Sequence, residues 1–193
     1  NIKKEFHKYQ AQVTPHPLEI EVKRAVGCYI YDINNKKYLD FIAGVSACSL
    51  GHCNPDVIKA IKKQLDEYLH VMVYGEFILK PAVDLTKLLS DHLPKELDST
   101  YLTNSGTEAI EGAIKLARRY TGRKEIIGAN NAYHGSTLGA LTLMGKIENR
   151  KPFEPLLPEV DFIKFNNLND IDKITHKTAG VILETIQGAA GFI

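Results

Sequence analysis

The 193-residue sequence contains no tryptophan, only two methionines and three cysteines, and no apolar run near the ~18 residues of a membrane-spanning helix. It also lacks a charge excess: 24 lysines and arginines oppose 23 aspartates and glutamates, which leaves a formal net charge of +1. These shortages exclude a disulfide scaffold and argue against nucleic acid, an anionic membrane or a polyanion as the main partner. Any bound anion must therefore be held by a few local groups.

The overall composition, with 44% hydrophobic and 24% charged residues, is typical of a folded, water-soluble chain. Cys28, Cys48 and Cys53 are an odd set without disulfide spacing, which favours free thiols in a reducing compartment. We therefore predict a cytoplasmic protein, and no signal-peptide pattern follows the charged residues at the start. Cys48, His52 and Cys53 lack the second ligand pair of a zinc site, so we expect no metal.

The N-terminal part of the sequence predicts a small antiparallel unit followed by helices. Alternating apolar residues and turn residues predict strands at 19–24, 28–33 and 37–41. Asn54 as a cap and Pro55 as the first helical residue predict the start of an amphipathic helix. A second helix is predicted over 81–92.

From residue 98 onward the pattern alternates between strand and helix, which is typical of βαβ units and a parallel sheet. The predicted strands are 99–103, 125–129, 161–165 and 180–184, and the predicted helices are 107–120 and 136–143. Ligands of such sheets bind where the strands end. The turns after three of these strands are therefore the places where chemistry is expected.

The first of these turns, Asn104 to Thr107, passes straight into a helix. A helix start offers unpaired N–H groups and the positive end of the helix dipole. Gly106 lets an anion approach the backbone, while Ser105 and Thr107 add hydroxyl donors, so the turn is a candidate phosphate cradle. The alternative is a plain capping box, in which Ser105 caps the helix and Glu108 reaches back.

The next two turns place a ring face and polar groups at the same edge of the predicted sheet. Tyr133 and His134 suit the flat face of a planar cofactor or, alternatively, form a half-buried aromatic pair at a helix start. Glu184 and Gln187 follow the last predicted strand, and a carboxylate there is seldom buried without a partner. Together the three turns describe a phosphate, a ring face and a polar group in one cleft.

Three motifs, in this order, resemble the class III pyridoxal-phosphate aminotransferases of fold type I: Asn-Ser-Gly-Thr-Glu-Ala at 104–109, Tyr-His-Gly at 133–135 and Glu-Thr-Ile-Gln-Gly at 184–188. Tyr-Leu-Asp-Phe at 38–41 and Gly-His at 51–52 are also similar to that family. The resemblance implies an α/β fold in two parts. Residues 1–80 form a small N-terminal lobe with short strands and one long helix, and residues 81–193 form the first part of the large cofactor-binding domain with its mostly parallel sheet.

The resemblance also implies which residues bind the cofactor, pyridoxal 5'-phosphate. Ser105, Gly106 and Thr107 resemble the turn that holds its phosphate, mainly through the N–H groups of Gly106 and Thr107. Tyr133 resembles the aromatic residue that stacks on the pyridine ring, with His134 close by.

For the substrate, Glu184 resembles the carboxylate that in many members pairs with a mobile arginine, and Val45 falls in a loop that lines the pocket, often across a dimer interface. The implied reaction is ping-pong transamination from an ω-amine, diamine or ornithine-type donor to a 2-oxo acid such as 2-oxoglutarate, in a homodimer with shared active sites. Ser136 stands where acetylornithine-type members usually have an arginine, which favours a diamine donor. The alternatives are a 2,1-aminomutase on the same scaffold and a non-catalytic phosphate-binding module.

In the family, the Schiff-base lysine and the aspartate beside the pyridine nitrogen lie downstream of the Glu-x-x-Gln-Gly segment. No lysine of this chain stands in the family's lysine motif, so no catalytic residue is predicted within it. We expect the sequence to be the N-terminal half of a longer enzyme and to be inactive alone.

Overall fold

The computed structural model describes residues 1–193, which form two compact units, Asn1–Leu79 and Lys80–Ile193. The helices are α1 Ile2–Tyr9, α2 Pro55–Glu67, α3 Lys80–His92, α4 Gly106–Thr121, α5 Leu138–Thr142 and α6 Ile147–Arg150. The strands are β1 Val22–Val26, β2 Tyr29–Asp32, β3 Lys37–Leu39, β4 Glu125–Ala129, β5 Val160–Ile163 and β6 Thr178–Val181. Short 3-10 helices cover Lys151–Phe153 and Leu168–Lys173. None of the helices is both long enough and apolar enough to cross a membrane.

An antiparallel sheet in the order β1-β2-β3 organises the first unit. Asp32 shapes the turn between β2 and β3, because its Oδ1 accepts the N–H groups of Asn34 and Lys36, each at 2.9 Å, and its Oδ2 accepts the Tyr38 hydroxyl at 3.0 Å. Asn35 supplies the positive φ of this turn, 62°. Burial acts to raise the pKa of Asp32, but these hydrogen bonds outweigh it and hold the pKa below its ordinary value.

The loop after β3 is fastened by Asp40. Its Oδ2 lies 2.6 Å from His52 Nε2, and its Oδ1 accepts the N–H groups of Ile42 and Ala43 at 2.9 and 3.0 Å. The Asp40 side chain is only 6% exposed. The hydrogen bond with His52, followed by those from the two main-chain N–H groups, lowers the pKa of Asp40. The carboxylate therefore ties both ends of the segment 40–52 together.

Helix α2 begins where the sequence predicts. Oδ1 of Asn54 accepts the N–H groups of Asp56 at 3.0 Å and Val57 at 3.3 Å, and Pro55 takes the first helical position. The apolar side of the helix stays accessible in this chain, with Ile61 54% exposed.

A parallel sheet in the order β5-β4-β6 organises the second unit. Its central strand β4 is buried, as is typical of a parallel strand covered on both faces. Ile114 of α4, Ile126 of β4 and Leu143 after α5 form the core. Helix α4 also lies close to β6, since a Cβ added to Gly180 would lie 3.3 Å from the Cβ of Ala117. This packing holds α4 against β4 and β6.

The predicted strand at 99–103 is wrong. No residue of that segment pairs in either sheet, and Tyr101 is 82% exposed. Its residues suit a strand, but a strand forms only where a neighbour exchanges backbone hydrogen bonds with it, and none does so here.

The other predicted elements are present with shifted ends. The helix predicted at 136–143 shortens to α5, because Gly135 has a φ of 128° and Thr137 is extended at φ −72° and ψ 157°. The last predicted strand ends at Val181, so that Glu184 lies three residues beyond it. Helices α1 and α6 were not predicted.

Candidate functional site

The first turn combines a helix cap with two N–H groups that have no protein acceptor. Ser105 Oγ accepts the N–H of Glu108 at 3.3 Å, and the Glu108 carboxylate accepts the N–H of Asn104 at 2.8 Å. The capping alternative is thus realised in part, with Glu108 reaching Asn104 rather than Ser105. The N–H groups of Gly106 and Thr107 donate to no protein atom, and a Cβ on Gly106 would meet nothing within 4 Å. An anion can therefore approach two donors at the positive end of α4.

The second turn, after β4, carries the predicted ring-face residues. Tyr133 is 49% exposed, and its hydroxyl lies 3.4 Å from Ser136 Oγ. His134 is 9% exposed, and its Nε2 is buried without a hydrogen-bond partner. Burial lowers the pKa of His134, although the Glu184 carboxylate opposes the shift. The imidazole is therefore mostly neutral at neutral pH.

The third turn is bound to the second by two residues. Glu184 Oε2 accepts the Tyr133 main-chain N–H at 3.1 Å, and its Oε1 accepts the Gly188 N–H at 3.2 Å. Gln187 is 1% exposed and donates from Nε2 to the carbonyl oxygen of Asn130 at 2.8 Å. Gln187 belongs to the motif that carried the resemblance, but its role in joining the two turns was not predicted. Pairing of Glu184 with an arginine stays a prediction.

The first turn meets the second through two threonines. Oγ1 of Thr107 lies 2.7 Å from Oγ1 of Thr137, and it also accepts the Thr137 N–H at 3.3 Å. A Cβ on Gly135 would lie 2.5 Å from the Thr107 Cβ, so only glycine permits this approach. Thr137 was not predicted as a site residue. Three turns that are far apart in sequence thus form one continuous hydrogen-bonded edge.

Val45, the remaining predicted site residue, belongs to the first compact unit. It is 86% exposed and has a φ of 56°, and Ser46 beside it has a φ of 68°. A β-branched residue seldom adopts a positive φ, so the backbone at Val45 is in an unusual conformation for this residue type. The role of Val45 in lining a substrate pocket stays a prediction.

Comparison with known proteins assigns the chain to a family. The sequence profile of the family described as aminotransferase class-III matches residues 9–193. The chain belongs to the class III aminotransferases. Its mixed α/β architecture with a parallel sheet is that of part of a fold type I enzyme. The resemblance and the fold class predicted from the sequence are confirmed.

The chain is similar to the acetylornithine aminotransferase of Archaeoglobus fulgidus, with 41% identity over 90% of this chain and 45% of the relative. It is 42% identical to the [LysW]-aminoadipate semialdehyde/glutamate semialdehyde transaminase of Sulfolobus acidocaldarius, over 86% of this chain and 42% of the relative. It superimposes on the ornithine aminotransferase of Toxoplasma gondii with a TM-score of 0.81 and 26% identity, over 97% of this chain and 45% of the other. The chain therefore spans less than half the length of each of these three relatives.

Proposed function

We propose that this chain is part of a pyridoxal-phosphate aminotransferase that moves the terminal amino group of an ω-amine or ornithine-type donor to a 2-oxo acid such as 2-oxoglutarate. Family membership supports the reaction class and indicates pyridoxal phosphate as the cofactor. The observation that carries the assignment of the site is the pair of N–H groups at Gly106 and Thr107, which have no protein acceptor and lie beside the Tyr133 turn. When bound, the cofactor acts as the electron sink of the reaction.

The residues present fit the cofactor's phosphate. Gly106 and Thr107 supply two N–H donors at the start of a 16-residue helix, and no side chain stands over Gly106. Ser105 adds a hydroxyl, because its oxygen already accepts the Glu108 N–H and its own proton remains available to an anion. These groups would offer a phosphate dianion main-chain and hydroxyl donors at the positive end of α4.

The residues of the second turn fit the cofactor's ring. Tyr133 is half exposed, so its ring can still cover an aromatic face, while its backbone is held by Glu184. His134 beside it is buried and mainly neutral, and its Nε2 has no protein partner. We propose that Tyr133 stacks on the pyridine ring and that His134 supports this stacking without adding a charge.

Two observations bear on the amine donor, and they favour different molecules. The similar relatives are named for acetylornithine and for aminoadipate and glutamate semialdehydes, which favours a terminal amine or aldehyde on an amino-acid backbone. Ser136, in contrast, offers only a hydroxyl that lies 3.4 Å from the Tyr133 hydroxyl, which favours a diamine without a carboxylate. Both donors share the terminal amine, and Glu184 is proposed to sort amine from dicarboxylate substrates.

We further propose a cytoplasmic homodimer in which Val45 lines the substrate pocket of one active site. The 193-residue chain alone is expected to catalyse no transamination, because the resemblance places the Schiff-base lysine downstream of Gly188. No observation favours the aminomutase.

The test uses the full-length enzyme loaded with pyridoxal phosphate. Putrescine, ornithine and N-acetylornithine are added separately without a 2-oxo acid, and the absorption change to pyridoxamine phosphate is followed. We expect a terminal-amine donor to convert the cofactor and 2-oxoglutarate to restore it. An enzyme that turns over without any 2-oxo acid would contradict the transaminase assignment. Ser136→Arg, with Ser136→Ala as its control, is expected to raise kcat/KM for N-acetylornithine relative to putrescine.

A further inference from the structure

Glu111 is a partly buried carboxylate that neither the motifs nor the proposed cofactor contacts account for. It lies one helical turn after Thr107 on α4 and contacts the segment that follows the turn carrying Tyr133 and His134, called the ring-face turn below. Its Oε1 accepts the Thr137 hydroxyl at 2.5 Å, the Gly139 N–H at 2.8 Å and the Ala140 N–H at 3.2 Å. One oxygen atom thus binds three donors from the start of α5.

The bonds around Glu111 have one possible direction when the carboxylate is ionised. A carboxylate only accepts, so the single hydroxyl proton of Thr137 is donated to Glu111. Oγ1 of Thr137, 2.7 Å from Oγ1 of Thr107, then accepts the Thr107 hydroxyl proton. Thr107 therefore donates its hydroxyl proton to Thr137, and Thr137 donates its own to Glu111. In this arrangement, with its hydroxyl proton donated to Thr137, Thr107 offers its N–H group to a phosphate.

The fit between α4 and this segment is tight at two glycines. A Cβ on Gly135 would lie 3.1 Å from the Cα of Thr107, and a Cβ on Gly139 would lie 2.8 Å from the Cδ of Glu111. Both distances are shorter than ordinary van der Waals contact. The hydrogen bonds of Glu111 therefore hold the ring-face turn directly against the helix whose start is proposed to bind phosphate.

We propose that Glu111 is a positioning residue that sets the distance between the phosphate-binding turn and the ring-face turn, acting through Thr137 and Thr107. The inference rests on the proposed function. A ligand that engages both turns at once gains affinity only if the two are held at the correct separation. A ligand that engages one turn alone does not depend on that separation. Intact cofactor and free phosphate should therefore respond differently to the loss of Glu111.

The experiment measures two dissociation constants on the full-length apoenzyme, for pyridoxal phosphate by absorption and for inorganic phosphate by competition. Glu111→Ala is expected to weaken cofactor binding about tenfold, or about 1.4 kcal/mol, and to change phosphate binding less than about twofold. Glu111→Gln is the matched control, because its amide oxygen accepts the same three donors, and its cofactor binding should remain near the native value. The visible circular dichroism of the bound cofactor should fall in Glu111→Ala and be retained in Glu111→Gln.

A second pair of variants covers the case in which Glu111→Ala does not fold. Thr137→Val removes the hydroxyl between Thr107 and Glu111 but leaves the bonds from Gly139 and Ala140, whereas Thr137→Ser keeps all of them. Selective loss of cofactor affinity in Thr137→Val supports the proposal. Equal weakening of cofactor and phosphate binding, or no change in either, would overturn it. A native enzyme that binds no pyridoxal phosphate would instead refute the proposed function, and this inference with it.

Discussion

Replacement of Gly135 by alanine tests the contact between the first and second turns. Gly135 has a φ of 128°, which L-residues rarely adopt, and its missing Cβ would lie 2.5 Å from the Cβ and 3.1 Å from the Cα of Thr107. A rotation of the Thr107 side chain moves neither of these two atoms. The backbone must therefore shift, and the 2.7 Å bond from Thr107 to Thr137 must lengthen or break.

The size of the effect follows from three contributions. Positive φ costs about 1–3 kcal/mol, crowding in a packed site about 1–3 kcal/mol, and a lost hydrogen bond about 0.5–1.5 kcal/mol. Gly122→Ala gives the cost of a positive φ without crowding, because Gly122 has a φ of 69°, in the left-handed region, and no atom within 4 Å of its missing Cβ. The φ of 128° at Gly135 lies outside that region and costs at least as much. The difference in unfolding free energy between the two variants is therefore expected to be about 1.5–4.5 kcal/mol.

Thermal unfolding of the full-length apoenzyme measures this difference. Gly135→Ala should unfold at a lower temperature than Gly122→Ala. A domain of about 150–250 residues shifts by about 2–4 °C per kcal/mol, and the longer full-length chain shifts by less. Its affinity for pyridoxal phosphate should also fall, whereas that of Gly122→Ala should not. Equal unfolding temperatures for the two variants would show that Thr107 does not lie against Gly135.

Two further predictions concern pH. Hydrogen bonding with His52 holds the pKa of Asp40 below its ordinary value, so the stability from this pair is fully present above about pH 4 and is lost as the pH falls through the lowered pKa. Asp40→Asn should therefore weaken the acid-induced fall of the denaturant midpoint between about pH 5 and 2. An unchanged pH profile would contradict the pairing. The pKa of His134, read from NMR titration of its ring protons, should lie below 6.5 because the ring is buried. The stability that the neutral His134 ring contributes is then present above about pH 6.5 and is lost on acidification. Glu184→Gln should lower the pKa of His134 further, because it removes the attraction between the charged ring and the carboxylate. A higher pKa of His134 in Glu184→Gln would show that the carboxylate does not lie near the ring.

The fold was predictable from the sequence where local signals and packing agree. The cap and first proline of α2, and the alternation of β4 with α4, depend on neighbouring residues and were predicted with nearly correct ends. The segment 99–103 has the same kind of local signal, but pairing of a strand is decided by a distant neighbour that local sequence cannot reveal. The helix predicted at 136–143 was too long at its start because Thr137 is extended and donates its N–H to Thr107, which lies thirty residues earlier in the chain.

The site was predictable as three turns, but not the contacts that join them. Ser105, Gly106 and Thr107 were visible because a helix start after a strand has a sequence signature. Glu111 and Thr137 carry no such signature, since a glutamate in the second turn of a helix is ordinarily a solvated surface residue. Only its spacing of four from Thr107, which puts both on one face of α4, gives a signal that sequence reasoning can use.

The most direct test of the account is the affinity of Gly106→Ala for pyridoxal phosphate in the full-length enzyme. A Cβ at Gly106 would meet no protein atom within 4 Å, so the apoenzyme should unfold within about 2 °C of the native temperature. Because the same Cβ would occupy the approach to the two N–H donors, cofactor affinity should fall about tenfold or more. Gly188→Ala, which also meets no atom within 4 Å, is the control. Native cofactor affinity in Gly106→Ala would contradict the placement of the phosphate at the start of α4.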